Sequence, residues 1–471
     1  MPVSAHYLPD PRITALGPEH HDVVTTARFP RHVLRVRNQR WAERLGLGDL
    51  DAGEWERHFA AFAPLPENLE RPLALRYHGH QFMVYNPNLG DGRAFLFAQL
   101  RDPGDGRLLD LGTKGSGQTP WSRGGDGRLT LKGGVREVLA SEMLEALGVD
   151  TSKAFSLFET GEPLQRNDEP SPTRSSVLVR LGHSHIRFGT FQRHAWYGDL
   201  KALRALLDHA VVNYFPEIVS APDLPAAFLR EVCRRSARLC ASWFVAGFVH
   251  GVLNTDNMNI TGESFDYGPW RFLPTFDPAF VAAYFDHGGL YAFGRQPDAV
   301  RWNLHRLAEA LEPLAAGGDP GNRLEEFERE YQAALRKNFL ARMGLVPRTF
   351  EEDAALFEVC YRFLSESGAG LDRFFFDWQG GAASEGRALA GEAAARYAGP
   401  LFGEFRGRLD SFTPAHPARL ESDYFRGAGP CTLLLDDVEA IWNAIAERDD
   451  WGPFEAKLAE IGAHREAFSA S

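Results

Sequence analysis

Cysteine is scarce in this sequence, with four in 471 residues, and no two of them form a CxxC pair. Cys233, Cys240, Cys360 and Cys431 therefore offer neither a disulfide framework nor a thiolate metal site, and they read as buried thiols of a reducing compartment. A run of about 18 apolar residues is also lacking, which excludes a membrane-spanning helix. No charged start followed by an apolar stretch opens the chain, so a cytoplasmic location is expected. Positive charge is the third shortage. At a formal net charge of -12 the chain has no global field favouring nucleic acid or an anionic membrane, although a local basic cleft remains open to phosphates.

What is present is an ordinary globular composition, 44% hydrophobic and 24% charged, distributed unevenly. Residues 1–60 mix short apolar runs with proline and read as an extension packed on a larger body. Residues 61–195 are rich in glycine and strand-like runs, with strands expected over 94–100, 108–111 and 176–181 and turns at Asp91-Gly92, Asp105-Gly106 and Asp126-Gly127. One helix is expected there, Gly134 to Leu147, stopped at Gly148. Residues 196–471 turn to long amphipathic stretches: 199–214, 225–248, 298–314, 322–343, 351–366 and 435–447. The plan is α+β, a strand-rich part followed by a larger helical part. Glu169-Pro170-Ser171-Pro172 reads as a surface loop.

Several residues suggest phosphate chemistry when taken together. Gly90-Asp91-Gly92-Arg93 precedes a strand, so its amides suit a phosphate and Arg93 adds charge, although a plain hairpin turn reads the same way. Lys114 closes an expected strand, and Glu137 follows 23 residues later in the expected helix. Kinases use such a pair to fix a phosphate-binding lysine. Asp126 and Gly127 sit in a second flexible turn, and Arg180 and Arg187 bring guanidinium forks that match phosphate oxygens. For each of these the alternative is a solvated turn or a surface ion pair. The His78/His80 and His183/His185 pairs lack a completing carboxylate or cysteine and are not taken as metal ligands.

The stretch His250-Gly251-Val252-Leu253-Asn254-Thr255-Asp256-Asn257 carries the sharpest question. A kinase-like catalytic loop places a basic Asp five positions before its metal-binding Asn, and here Val252 occupies that place. Asn257 and Asp266, the latter in Asp266-Tyr267-Gly268, suit Mg²⁺ held against nucleotide phosphates, with Mn²⁺ as the alternative ion. The base is either absent or moved to Asp256.

Combined, these residues resemble the selenoprotein O family, the YdiU-type proteins of bacteria, from about Tyr77 to Pro278. The resemblance rests on Gly-His-Gln-Phe at 79–82, Gly-Asp-Gly-Arg at 90–93 and again at 125–128, and Lys-Gly-Ser-Gly-Gln-Thr-Pro-Trp-Ser-Arg at 114–123. It continues in Arg-Glu-Val-Leu-Ala-Ser-Glu at 136–142, Ser-His-Ile-Arg-Phe-Gly at 184–189 and His-Gly-Val-Leu-Asn-Thr-Asp-Asn-Met at 250–258. The resemblance implies a protein-kinase-like two-lobed fold that binds ATP in an inverted orientation and transfers AMP to protein hydroxyls. It further implies Lys114 and Glu137 as the ion pair, and Gly90, Gly92, Arg93, Asp126, Gly127, Arg180 and Arg187 as nucleotide contacts. Asp256 is then the base, and Asn257 and Asp266 are the metal ligands, Asp266 also touching the nucleotide. Arg123-Gly124 and Lys132 depart from the usual family wording. The implied partners are ATP and protein substrates with accessible hydroxyls, with no nucleic acid and no membrane. A strongly raised pKa is not required of Asp256. Two other readings stay open: a γ-phosphoryl protein kinase, and a catalytically silent nucleotide-binding scaffold.

Overall fold

A computed structural model describes residues 3–167, 169–315 and 325–469. Its centre is a sheet of eight strands in which every pairing is antiparallel. Strands β1 (His21–Val23), β2 (Val33–Arg37) and β3 (Leu73–Leu75) come first, and α1 (Gln39–Arg44) and α2 (Ala52–Phe59) lie between the last two. A separate hairpin, β4 (Gly79–Gln81) with β5 (Val84–Asn86), precedes β6 (Leu96–Arg101), β7 (Leu108–Lys114) and β8 (Leu129–Thr130). Helix α3 (Leu131–Ala146) then crosses to β9 (Lys153–Leu164) and β10 (Thr173–Gly182). The spatial order is β1-β3-β6-β7-β10-β9-β2, with β8 beside β10.

Both faces of this sheet are buried, which explains why its strands read as continuous apolar runs. Because side chains alternate, Val177, Val179 and Leu181 of β10 join Leu109 and Leu111 of β7 in one core, with Trp55 and Phe59 of α2. Leu178 and Leu108 face the other way, into the core that holds Val135, Val138 and Leu139 of α3. Residues 39–62 thus cover the back of the sheet, and β1 and β2 supply its two edges.

The helix expected at 134–147 begins three residues earlier, at Leu131, because the Thr130 hydroxyl accepts the Gly133 N–H at 3.1 Å and caps it. After β10 come α4 (Phe188–Trp196), α5 (Leu200–Tyr214), α6 (Leu224–Ala246), β11 (Phe248–Val249), β12 (Arg271–Phe272), α7 (Gln296–Leu311), α8 (Glu325–Met343) and α9 (Phe350–Ser367). Then follow α10 (Leu371–Asp377), α11 (Glu385–Ala390), α12 (Gly399–Leu409), α13 (Asp423–Arg426), α14 (Leu435–Arg448) and α15 (Gly452–Ser469). Each amphipathic stretch read from the sequence coincides with a helix to within a few residues, except that 322–324 lie outside the described residues. The stretch expected to run to 248 stops at Ala246, because Gly247 takes a left-handed conformation (φ +67°) and Phe248 begins β11. Among the described residues no helix is long and apolar enough to cross a membrane. All four cysteines are free and buried.

Candidate active site

Strand register brings the first cationic pair together. In the β7–β10 ladder Lys114 lies opposite Leu178 and Gly112 opposite Arg180, so Lys114 and Arg180 project on the α3 side as diagonal neighbours. Helix α3 presents Glu137 to them. The Lys114 ammonium donates to Glu137 Oε1 and, at 2.6 Å, to Asp266 Oδ1. Arg180 Nη1 donates to the same Asp266 oxygen at 3.2 Å and stands 3.7 Å from Glu137 Oε2. Two cations and two carboxylates thus form a balanced quartet in which only Asp266 keeps partial exposure. Burial alone would raise the Asp266 pKa, but Lys114, Arg180 and Arg187 outweigh it and hold the carboxyl well below its ordinary value. Its backbone is left-handed (φ +65°), an uncommon conformation for a residue other than glycine.

Arg187, at the start of α4, is fully enclosed. Its Nη1 donates to Asp91 Oδ1 at 2.8 Å, and its guanidinium lies 4.2 Å from the Tyr77 ring centre. Asp91 is held in turn by the Leu75 N–H at 3.0 Å. The Gly90-Asp91-Gly92 turn is therefore anchored through its acidic residue. The Nε atoms of both Arg180 and Arg187 are buried without a partner, an unusual cost for a charged group.

The stretch 250–257 is reached from α6 through β11 and is tied down residue by residue. His250 N–H donates to Gln296 Oε1 at 3.0 Å, Asn303 Nδ2 to the Leu253 carbonyl at 2.8 Å, and the Thr255 hydroxyl to Gln192 Oε1 at 2.6 Å. Val252 packs against the hydrophobic core. The Asn257 amide donates to the Val252 carbonyl at 3.1 Å, closing the loop on itself. Asp256 is buried; its Oδ2 accepts a 3.4 Å bond from Gln81 Nε2, and its Oδ1 has no partner. Desolvation pushes its pKa up to about 6, only partly opposed by Arg187.

A cleft of about 770 Å³ gathers Gly90, Gly92, Arg93, Lys114, Asp126, Gly127, Arg180, Arg187, Asp256 and Asp266 on one lining. Glu137 stands behind Lys114, and Asn257 is not part of that lining. Gly127 allows a close turn: its φ is +69°, and a Cβ there would meet the Gly117 carbonyl carbon at 2.2 Å. Asp126 on the same turn is already engaged, with Arg166 Nη1 at 2.8 Å and the Arg128 N–H at 2.9 Å. Arg93 donates to the Arg128 carbonyl at 3.3 Å and bridges the two glycine-rich turns.

Among the described residues no group of three or more His, Cys, Asp or Glu side chains is arranged to hold a metal. Mg²⁺ takes one or two carboxylates and completes its shell with phosphate and water, a demand that the cleft-lining carboxylate of Asp266 fits. Both bonds to Asp266 fall on Oδ1, and Asp256 Oδ1 is unpartnered. The His185 ring stands with Nδ1 3.3 Å from Asp110 Oδ2, and the His183 ring packs edge-on to Tyr214 at 5.6 Å between ring centres.

Sequence reasoning missed Asp91 as the anchor of Arg187, Tyr77 and Phe265 against its guanidinium, and Gln81 as the partner of Asp256. The repeated Gly-Asp-Gly-Arg wording was the available signal for Asp91. The family model described as Protein adenylyltransferase SelO matches residues 4–462. A Protein nucleotidyltransferase YdiU of Synechocystis sp. is 45% identical, covering 96% of this chain and 97% of that protein. One from Gloeobacter violaceus is 45% identical over 94% and 93%, and one from Cereibacter sphaeroides 38% over 90% and 87%. The protein is an enzyme of the nucleotidyltransferase class. The chain belongs to the SelO family of protein adenylyltransferases.

Proposed function

We propose that the protein transfers AMP from ATP to the side-chain hydroxyl of a Ser, Thr or Tyr on a protein substrate, with release of pyrophosphate. The observation that carries the reading is Asp256: a buried carboxylate on a residue that lines a cation-rich cleft, one of its oxygens without a hydrogen-bond partner, while the kinase base position holds Val252. In the proposed reaction the hydroxyl oxygen bonds to the α-phosphorus, the bond from that phosphorus to the bridging oxygen breaks, and the proton passes to Asp256. Burial raises the Asp256 carboxyl above its ordinary value, the direction that suits a group accepting a proton from a hydroxyl.

Lys114, Arg93, Arg180 and Arg187 are assigned to the phosphates. The two turns at 90–93 and 125–128 approach closely enough to offer backbone amides. Asn257 and Asp266 would hold Mg²⁺, or Mn²⁺ in its place. When bound, the ion offsets negative charge that builds on the departing pyrophosphate. Lys114 and Arg180, aimed by Glu137, keep the phosphates in place for in-line attack. The names of the family and of the YdiU relatives support nucleotide transfer to protein as the reaction class. We read residues 61–195 and 196–471 as two kinase-like lobes, residues 1–60 as an extension packed on them, and the cytoplasm as the location.

The test uses ATP labelled at either the α- or the γ-phosphorus, with Mg²⁺ and a mixture of candidate acceptor proteins. Label reaching protein from the α position alone is the expected result. Label from the γ position alone makes the protein a kinase, and intact MgATP binding with no label from either makes it a silent scaffold.

A further inference from the structure

The β4–β5 hairpin carries Gly79-His80-Gln81-Phe82, whose tip the nucleotide cleft leaves without a role. Its first strand and the start of its turn are bonded to the loop that bears Asp256. The His80 N–H donates to Thr255 Oγ1 at 2.7 Å, Gln81 Nε2 to Asp256 Oδ2 at 3.4 Å, and the Phe82 N–H to Asn254 Oδ1 at 3.1 Å. The approach is so close that a Cβ on Gly79 would stand 3.1 Å from Asp256 Oδ1.

At the tip the chemistry is unusual. Gln81 pairs with Val84, so Phe82 and Met83 form a two-residue loop, and both have positive φ, +50° and +64°. Such loops ordinarily carry Asn-Gly or a similar pair, because bulky side chains are strained there. Here the two large side chains are exposed, and Val84 beside them is 69% exposed. The Phe82 ring lies 5.9 Å from that of Phe285, which lies 5.1 Å from Tyr284, itself 81% exposed. Phe82, Met83, Val84, Tyr284 and Phe285 therefore present aromatic and aliphatic side chains to solvent, and clustered exposure of that kind marks a binding site on soluble proteins.

We propose that this surface docks the acceptor polypeptide, seating an aromatic or branched aliphatic side chain that neighbours the hydroxyl to be modified. The inference rests on the AMP-transfer reading above. Two observations select this occupant. The hairpin is bonded to Asn254, Thr255 and Asp256, so a segment seated on it is delivered beside the carboxylate that takes the proton. The five side chains are aromatic or aliphatic, which suits an apolar side chain and not the phosphates of a nucleotide.

The experiment uses synthetic nonapeptides with one Ser, Thr or Tyr flanked by Leu or Phe in one set and by Asp or Ser in the other, incubated with the full chain, Mg²⁺ and α-labelled ATP. The expected result is a kcat/KM at least tenfold higher for the apolar set. That preference disappears in Met83→Asp/Val84→Asp and, independently, in Tyr284→Asp, while calorimetric MgATP affinity stays unchanged. Labelling without a flank preference, or a preference that survives both variants, overturns the docking surface and leaves AMP transfer standing. A wild-type dimer in sedimentation that both variants dissolve also overturns it, since the surface is then a self-association face. Absence of α-label on every peptide and on proteins overturns the transfer reading, and this surface with it.

Discussion

Asp256 and Asp266 line one cleft and meet opposite electrostatic fates. Burial dominates at Asp256 and pushes its pKa up to about 6, whereas Lys114 and Arg180, bonded directly to Asp266, overcome burial there. The first carboxyl is thus poised to exchange a proton, and the second is a fixed negative charge. Asp256→Ala is expected to lower AMP transfer by about 10²–10⁴-fold, the usual contribution of a general base, with MgATP affinity near normal. On the proposed reading Asp266→Ala is expected to weaken both, since it removes the carboxylate assigned to the metal and leaves Lys114 and Arg180 sharing Glu137 alone. Calorimetry for binding and α-label incorporation for transfer separate the two. An Asp256→Ala protein that no longer binds MgATP, yet turns over normally per bound nucleotide, would make that aspartate a ligand-shell residue instead.

Among elements, α3 decides whether Glu137 reaches Lys114, and its first turn hangs on one hydroxyl. Thr130→Ala removes the cap on the Gly133 N–H and is expected to cost about 1 kcal/mol of stability. Thr130→Ser should restore it. Equal denaturation midpoints for Ala and Thr at this position would show that tertiary contacts alone hold the helix end. The same helix illustrates what could be read ahead of the structure. Its apolar spacing identified it from Gly134 onward, but Gly133 hid the residues before it, because glycine signals a turn unless the cap is recognised. β9 went unread for a different reason: Phe155 and Phe158 serve one core while Ala154 and Leu157 serve the other, so no alternation survives. The pairing of Lys114 with Glu137 was legible because strand and helix are close in sequence. The bond from Arg187 to Asp91, 96 residues away, and the seating of the β4–β5 hairpin on 254–256 depend on tertiary closure and left no local trace. Asp126 was expected at the nucleotide, and its bonds to Arg166 show that an acidic turn has more than one available partner.

On the scale of the whole molecule, residues flanking the sheet meet the segment after Asn257 through backbone bonds, the Phe188 N–H at the start of α4 to the Met258 carbonyl at 3.0 Å and the Ser152 N–H just before β9 to the Ser264 carbonyl at 2.8 Å. Glu263 is buried in that junction, where its Oε2 accepts the His183 N–H at 2.7 Å and its Oε1 lies 3.6 Å from Lys153 Nζ. Burial raises its pKa above the ordinary carboxylate range despite Lys153. The native state therefore keeps a proton that the unfolded chain releases near pH 4.3, the usual glutamate value of about that size. The resulting stabilisation is fully present below that pH and is lost as pH rises through the higher native pKa. Glu263→Gln holds a similar shape without titrating, so its stability should fall less than that of the wild type between about pH 5 and pH 8. Where only the unfolded chain has ionised, the wild-type curve should be steeper by up to about 1.4 kcal/mol per pH unit. Urea unfolding of both proteins across that range measures the difference. Parallel curves would mean that Glu263 is ionised in the native junction, with Lys153 and the His183 N–H outweighing its burial.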